Sequence, residues 1–209
     1  MKNKLSIIIL IILSFVLISC KKIEKDEIEQ EAQPYLNYLS DDNPVVIISV
    51  KDYGVMKAQL FKDVAPNTVN NFIKYISDKK YNNSSFHRII ETFMIQGGIV
   101  SNTNGAIAGE FISNGFNNEL NHYRDILSMA RTNDPNSATS QFFIMHKISQ
   151  HLDGAYASFG GLISGFEVLD LIAAVNTNPY DTPLENVIIE KIEIRLNGYN
   201  PESVIYFGN

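Results

Sequence analysis

Apolar and polar positions along the chain fall into short segments with two different periods. Val45-Val46-Ile47-Ile48-Ser49-Val50 is a run with the look of a buried strand, and Asp52-Tyr53-Gly54 follows it as a turn signal. Met56, Ala58 and Leu60 then alternate with Lys57, Gln59 and Phe61, so the two segments read as a β-hairpin. Pro66 suits the first turn of a helix. Behind it Val69, Phe72, Ile73 and Ile76 recur at helical spacing and predict one apolar stripe. Further short runs predict strands at Ser85–Ile90, Phe93–Gln96, Ile126–Ala130, Gln141–Met145 and Ala157–Leu162. A second helical stripe is expected over Val168, Leu171, Ile172 and Val175. Last, Ile192, Ile194 and Leu196 alternate with Lys191, Glu193 and Arg195, which predicts a strand with one wet face. About eight short strands with two helices far apart in sequence predict a closed or nearly closed antiparallel sheet capped by helices at its ends. Pattern alone says nothing about chemistry.

The N-terminus has a different character. Lys2 and Lys4 precede an apolar run from Leu5 to Ile18 broken only by Ser6 and Ser14. A spanning helix needs about 20 apolar residues, whereas a basic start, a short apolar centre and a small-residue site describe a secretory signal. Leu17-Ile18-Ser19-Cys20 resembles the bacterial lipobox, which implies cleavage before Cys20 and a diacylglycerol on its thiol. Several acyl chains at one residue give stable anchoring where one gives reversible binding. Lys21 to Asp42 reads as a solvated tether, because a helix over Glu24–Ala32 would have only Ile23 and Ile28 to dock. The expected organisation is a signal peptide at 1–19, a lipidated cysteine and tether at 20–43, one folded domain at 44–197 and a tail at 198–209. The sequence assigns that tail no role, and its Tyr199, Tyr206 and Phe207 could dock or fray.

Composition narrows the class. The chain has 209 residues, 45% hydrophobic and 19% charged, enough for one well-packed domain with appendages. Its net charge is −6 and becomes more acidic once Lys2 and Lys4 are removed, so phosphate backbones repel it and nucleic acid is not an expected partner. Cys20 is the single cysteine, so no internal disulfide forms. His87, His122, His146 and His151 show no metal-ligand spacing, and no phosphate-binding glycine loop or nucleophile elbow is present. Neither a metal nor a cofactor is expected.

Two stretches carry a resemblance. One is Phe86-His87-Arg88-Ile89-Ile90-Glu91-Thr92-Phe93-Met94-Ile95-Gln96-Gly97-Gly98. The other runs from Leu127-Ser128-Met129-Ala130-Arg131 through Asp134-Pro135-Asn136-Ser137-Ala138-Thr139-Ser140 to Gln141-Phe142-Phe143-Ile144. In order and spacing both resemble the signature blocks of cyclophilins, and Leu152-Asp153-Gly154 with Phe159-Gly160 resembles the next block. The likeness extends from about Pro44 to Leu196. It implies an eight-stranded antiparallel β-barrel capped by two helices, and peptidyl-prolyl cis-trans isomerase activity on proline-containing polypeptides, by a monomer. By the same resemblance Arg88 is the catalytic arginine, and Phe93, Met94, Phe143 and Leu152 form the pocket for the proline ring. Gln96, Ala130, Arg131 and Gln141 line the peptide groove, with the main chain at Arg131 holding the substrate. His87, His151 and Tyr156 belong to the same groove, His87 as a support and not as a reacting group.

Such residue types suit the reaction. Rotation about a prolyl bond must break amide resonance, a barrier of about 18–20 kcal/mol. In the twisted state the prolyl nitrogen regains a lone pair, and a fixed cation donating to it favours that state over the planar one. Arginine stays charged and presents its donors in a rigid fork. One charged hydrogen bond contributes about 1.5–3 kcal/mol, whereas a 10⁵-fold acceleration needs about 7 kcal/mol. The apolar seat and the grip on the chain must supply the rest. The rival from another class is a binding module or holdase using the same groove without turnover, and a weaker one is a surface lipoprotein acting in adhesion or nutrient capture.

The sequence also departs from the family pattern. Glu91-Thr92 stands where many members have Pro-Gly, a change expected to affect only a turn. Ile99–Ala108 is shorter and poorer in glycine than the usual loop, which bears on preference for residues upstream of proline. His151 replaces the tryptophan of many eukaryotic members and Tyr156 a common histidine, both as in bacterial cyclophilins. That tryptophan favours cyclosporin, so inhibition by the drug should be weak; a nanomolar inhibition constant for the wild type would contradict this. If Cys20 is acylated, the wild type fractionates with membranes and Cys20→Ser does not; equal partitioning of the two would exclude the lipid anchor.

Overall fold

The computed structural model describes residues 34–208. The signal segment, Cys20 and most of the tether lie outside the described residues. From Tyr35 onward the chain forms one compact unit, Tyr35–Asn209. It therefore begins before Pro44: Tyr35 is buried, donates its hydroxyl hydrogen to the Leu162 carbonyl (2.7 Å) and covers the Cβ position of Gly161.

Eight strands close a barrel: β1 (Val45–Val50), β2 (Gly54–Leu60), β3 (Ser84–Ile90), β4 (Met94–Gly97), β5 (Ile126–Met129), β6 (Phe142–Met145), β7 (Ser158–Ser164) and β8 (Val187–Arg195). Their order around the barrel is β1-β2-β7-β5-β6-β4-β3-β8, and every neighbouring pair is antiparallel. The β1–β2 hairpin forms as the pattern predicts, with Asp52 and Gly54 in the left-handed conformations its turn requires. Two helices, α1 (Pro66–Ser77) and α2 (Phe166–Ala173), pack against the barrel. Closure leaves no unpaired edge.

The interior is filled by alternate strand residues. Val46, Ile48 and Val50 of β1 point in while Val45, Ile47 and Ser49 are only half-buried, so this strand alternates where its composition suggested a uniformly buried run. Phe61, expected on the wet side of β2, lies just past the strand end and is buried in a second cluster with Tyr35. Strand β8 starts at Val187, ahead of the alternation seen at its C-terminal end. Glu190 and Lys191 are both exposed where its register to β1 shifts, and that break hides the first half from a period-two reading.

Helix α1 follows the expected stripe, with Val69, Phe72, Ile73 and Ile76 all buried. Ala65 caps nothing with its methyl group. Instead the Glu110 carboxylate accepts the Asn67 and Thr68 N–H groups (3.0 and 2.7 Å), pairing an anion with the positive helix end. Helix α2 corrects the sequence expectation. It has only eight residues, so Val175 falls beyond it, and its buried positions are Val168, Leu169, Ile172 and Ala173 while Leu171 is 57% exposed. Gly165 opens α2 at φ 83°, where a Cβ would sit 2.4 Å from the Val55 carbonyl oxygen; this entry needs glycine.

The C-terminal tail docks on α1. Asn70 accepts from the Tyr199 hydroxyl (2.8 Å), the Asn67 side-chain amide pairs with both the carbonyl and the N–H of Ile205, and Tyr206 lies against Gly105.

One buried acid makes stability depend on pH. Asp125, at φ 75°, is buried with Oδ1 lacking a hydrogen-bond partner, though 3.4 Å from the Arg124 Nε. Burial pushes its carboxyl from an ordinary 3.8 to about 7, with Arg124 opposing the shift and Asp170 adding to it. The folded state thus holds a proton that the unfolded chain has released. This contribution is present below pH 3.8 and is lost as pH rises through about 7. Asparagine keeps the neutral form and tolerates the left-handed conformation. In urea unfolding, Asp125→Asn should gain about 2 kcal/mol on the wild type between about pH 5 and pH 8; a pH-independent difference would contradict the assignment.

Candidate active site

A row of paired residues crosses the outside of the barrel. In register, Arg88 of β3 faces Gln96 of β4, Gln96 faces Phe143 of β6, and Phe143 faces Ser128 of β5. Residues opposite one another in an antiparallel pair share a face, so these side chains project together. Met94, two residues before Gln96, joins them, while Ile95, Phe142 and Ile144 take the alternate positions and fill the barrel. The outer face is not left bare. Loops lay Leu120, Leu152 and Tyr156 over it, and with Met94 and Phe143 they form the second apolar cluster.

Arg88 reaches this face through an irregularity. Phe86 pairs with Gly97 and Arg88 with Gln96, which leaves His87 as an extra residue in β3. Strict alternation would set Arg88 on the side of Phe86, in the core. The bulge turns His87 and Arg88 outward together and returns Ile89 to the interior. The guanidinium is then held by Asp181, whose Oδ2 accepts from Nε (3.2 Å) and lies 3.1 Å from Nη2. Asp181 sits at φ 62° in the connection between α2 and β8, and its carbonyl accepts the Ile89 N–H (2.8 Å). Backbone and side chain of one residue thus fix both the strand and the arginine.

Arg88, Phe93, Met94, Gln96, Phe143 and Leu152 line a single hollow of about 150 Å³, completed by Ala130, Arg131 and Tyr156. This is room for one small ring, short of the ~300–1,000 Å³ of drug-sized pockets. A roomier hollow of about 550 Å³ lies between α1 and the tail, but its lining includes no member of the Arg88 row. Three other residues expected at the site stand just behind or beside the hollow. Gln141 accepts a hydrogen bond from Gln96 (3.0 Å), and His151 packs on Phe93 with ring centroids 5.7 Å apart. His87 is half-buried with Nδ1 unpartnered; burial, reinforced by the Arg88 charge, holds its imidazole below the ordinary value and favours the neutral ring. Among the described residues no group of acids, histidines or cysteines is placed to hold a metal ion.

Beneath the hollow is a brace that sequence reading missed. His122 Nδ1–H donates to Asp153 Oδ1 (3.0 Å), and the Ser128 hydroxyl lies 3.0 Å from Nε2. A carboxylate only accepts, which fixes the tautomer and makes Ser128 the donor to Nε2. The arrangement has the members of a hydrolytic triad, yet Ser128 and His122 are both 0% exposed, so no substrate meets that hydroxyl. The His122 ring instead stacks on Phe143 (6.1 Å, 19°) and supports the floor of the hollow.

The family model described as "Cyclophilin type peptidyl-prolyl cis-trans isomerase/CLD" matches residues 45–194. Peptidyl-prolyl cis-trans isomerase B of Escherichia coli is 38% identical over 156 residues, covering 68% of this chain and 95% of the relative. A putative bifunctional phosphatase/peptidyl-prolyl cis-trans isomerase of Streptococcus pyogenes is 37% identical over 217 residues, 83% of this chain; the chain spans only 46% of that longer protein. A cyclophilin-type isomerase from Cryptosporidium parvum superposes with a TM-score of 0.66 at 32% identity, over 76% of this chain and 99% of its own. It has also been solved in the presence of the dipeptide Ala-Pro. The chain belongs to the cyclophilin-type peptidyl-prolyl cis-trans isomerase family, and the closed barrel with two helices is the fold its sequence predicted.

Glu91-Thr92 lies in a turn, as expected. Thr92 adopts φ 64°, a costly position for a β-branched residue, and its N–H is taken up by His146 Nδ1 (3.0 Å). Nε2–H of the same ring donates to Asp170 of α2 (2.9 Å). The next residue is Phe93, so the turn that positions one wall of the hollow carries local strain. Thr92→Gly retains the N–H and should raise stability in urea unfolding by on the order of 1 kcal/mol; an unchanged or lower midpoint would show that the turn is unstrained.

Proposed function

We propose that this cyclophilin accelerates cis–trans rotation of prolyl bonds by donating a hydrogen bond from Arg88 to the prolyl nitrogen, with the proline ring seated on Phe93, Met94, Phe143 and Leu152. One observation carries the reading: a guanidinium clamped by Asp181 lines the same small apolar hollow as those four side chains. Asp181 engages Nε and Nη2, which leaves Nη1 free to donate. No proton changes hands and no bond is made to the protein. As the amide twists, the nitrogen becomes a better acceptor, so the bond from Arg88 strengthens on the way to the transition state.

The seat does the remaining work. Phe143 is held from below by His122 and edge-on by Tyr156 (6.0 Å), so a ring entering the hollow meets fixed walls. Gln96, tied to Gln141, and the main chain at Ala130 and Arg131 grip the peptide on the flanks. The clients we propose are secreted or envelope polypeptides, met by a monomer that is lipid-anchored through Cys20 in the bacterial cell envelope. The apolar run before Cys20 and the charged stretch after it support this, as does an acidic balance unsuited to nucleic acid.

Isomerisation of a proline-containing test peptide by wild type and Arg88→Ala tests the mechanism. Loss of one charged hydrogen bond predicts a roughly 10- to 100-fold fall in kcat/KM. Equal rates for the two proteins would exclude the mechanism. Peptide binding without turnover by the wild type would identify a binding module instead.

A further inference from the structure

A second guanidinium lines the hollow, and it differs from Arg88 in one respect. Arg131 follows β5 and is half-buried. Its Nε and Nη2 donate to the Ala155 carbonyl (3.2 and 2.8 Å), and Nη1 donates to the Thr132 carbonyl (2.8 Å). The guanidinium carbon lies 4.4 Å from the centroid of Tyr156 and 5.3 Å from that of Phe111. Tyr156 in turn abuts Phe143, the floor of the proline seat. Arg131 is therefore oriented as firmly as Arg88.

Its charge, however, is not answered. Arg88 is paired with Asp181, and Arg124 with Asp125 and Asp170, whereas Arg131 takes part in no ion pair among the described residues. Neutral carbonyls and ring faces orient a guanidinium without cancelling its charge. Three donors are engaged, leaving two of the five N–H groups of an arginine for an outside acceptor. In a chain of net charge −6, this unneutralised cation sits at the rim of the hollow meant for peptide.

We infer that Arg131 selects prolyl peptides with an acidic side chain, Asp or Glu, among the residues flanking the proline. A carboxylate there completes the ion pair that the protein itself withholds, while a lysine meets repulsion. The inference rests on the hollow being the proline site, and the test separates the two claims.

The full chain is given peptides in which Glu, Gln or Lys occupies each of the two positions before and after one proline. Kd and on-enzyme exchange are both read by NMR. Wild type should prefer Glu to Gln about fivefold at one or more positions, with Lys poorest, as for a partly exposed ion pair. The preference should shrink at about 1 M salt. In Arg131→Gln the Glu:Gln ratio should fall to near one, and Arg131→Lys should keep part of it. A ratio is insensitive to the fraction of folded protein. Equal handling of Glu and Gln by the wild type at all positions would overturn the inference, as would a preference surviving in Arg131→Gln. Binding without exchange would sink the isomerase reading but leave the Kd ratio to decide this one. Exchange without charge preference would do the reverse, and failure to bind any of the peptides would remove both.

Discussion

A strand that alternates strictly cannot place Phe86 in the barrel core and Arg88 on its outer face. One added residue, His87, resolves that conflict, and the rest of the site depends on it. The bulge carries Arg88 out to the row it shares with Gln96 and Phe143 while Ile89 returns to the interior. A bulge alone only aims a flexible side chain. Asp181 completes the constraint by accepting from the guanidinium and, through its backbone, from Ile89. The arginine is 43% exposed, so its position comes from this bracket more than from packing.

The apolar half of the site is constrained from the opposite side. Phe143 rests on His122, which is tied to Asp153 and Ser128, and Phe93 hangs from a turn fastened through His146 to Asp170 on α2. Burial holds His122 below its ordinary pKa, so the floor is built on a neutral ring. Under the proposed mechanism a rigid seat matters, because the arginine would supply too little by itself: one charged hydrogen bond accounts for about 1.5–3 kcal/mol. The excess must come from holding the amide where twisting is easy, and walls that yield would forfeit it.

Much of this was legible in the sequence because it lies in contiguous blocks. The hairpin and the α1 stripe follow from period, five of the other strands from short apolar runs, and Arg88, Phe93, Met94, Gln96 and Phe143 sit within two short segments. What was not legible has physical reasons. Asp181 is 93 positions from Arg88 and lies in an irregular connection, so no spacing links them. His122 and Asp153 come from loops whose polar residues look like ordinary surface until the fold sets His122 between Asp153 and Ser128 and against Phe143. The α2 stripe misleads because an eight-residue helix makes about two turns, too few for period to tell the buried Leu169 from the exposed Leu171. Tyr35 gave no periodic signal because it enters the domain beside one short 3-10 turn, Leu36–Tyr38, too brief to show a period.

The bracket on Arg88 is the central claim, and separating affinity from turnover in Asp181→Asn tests it most directly. With a proline peptide at saturation, two-dimensional exchange NMR gives the on-enzyme cis–trans rate, and titration gives Kd. Loss of the bracket leaves the apolar seat intact, so Kd should stay within about twofold while the exchange rate falls about tenfold, a change of about 1.4 kcal/mol in the barrier. An exchange rate equal to that of the wild type would show that Arg88 needs no such support, and the account would fail.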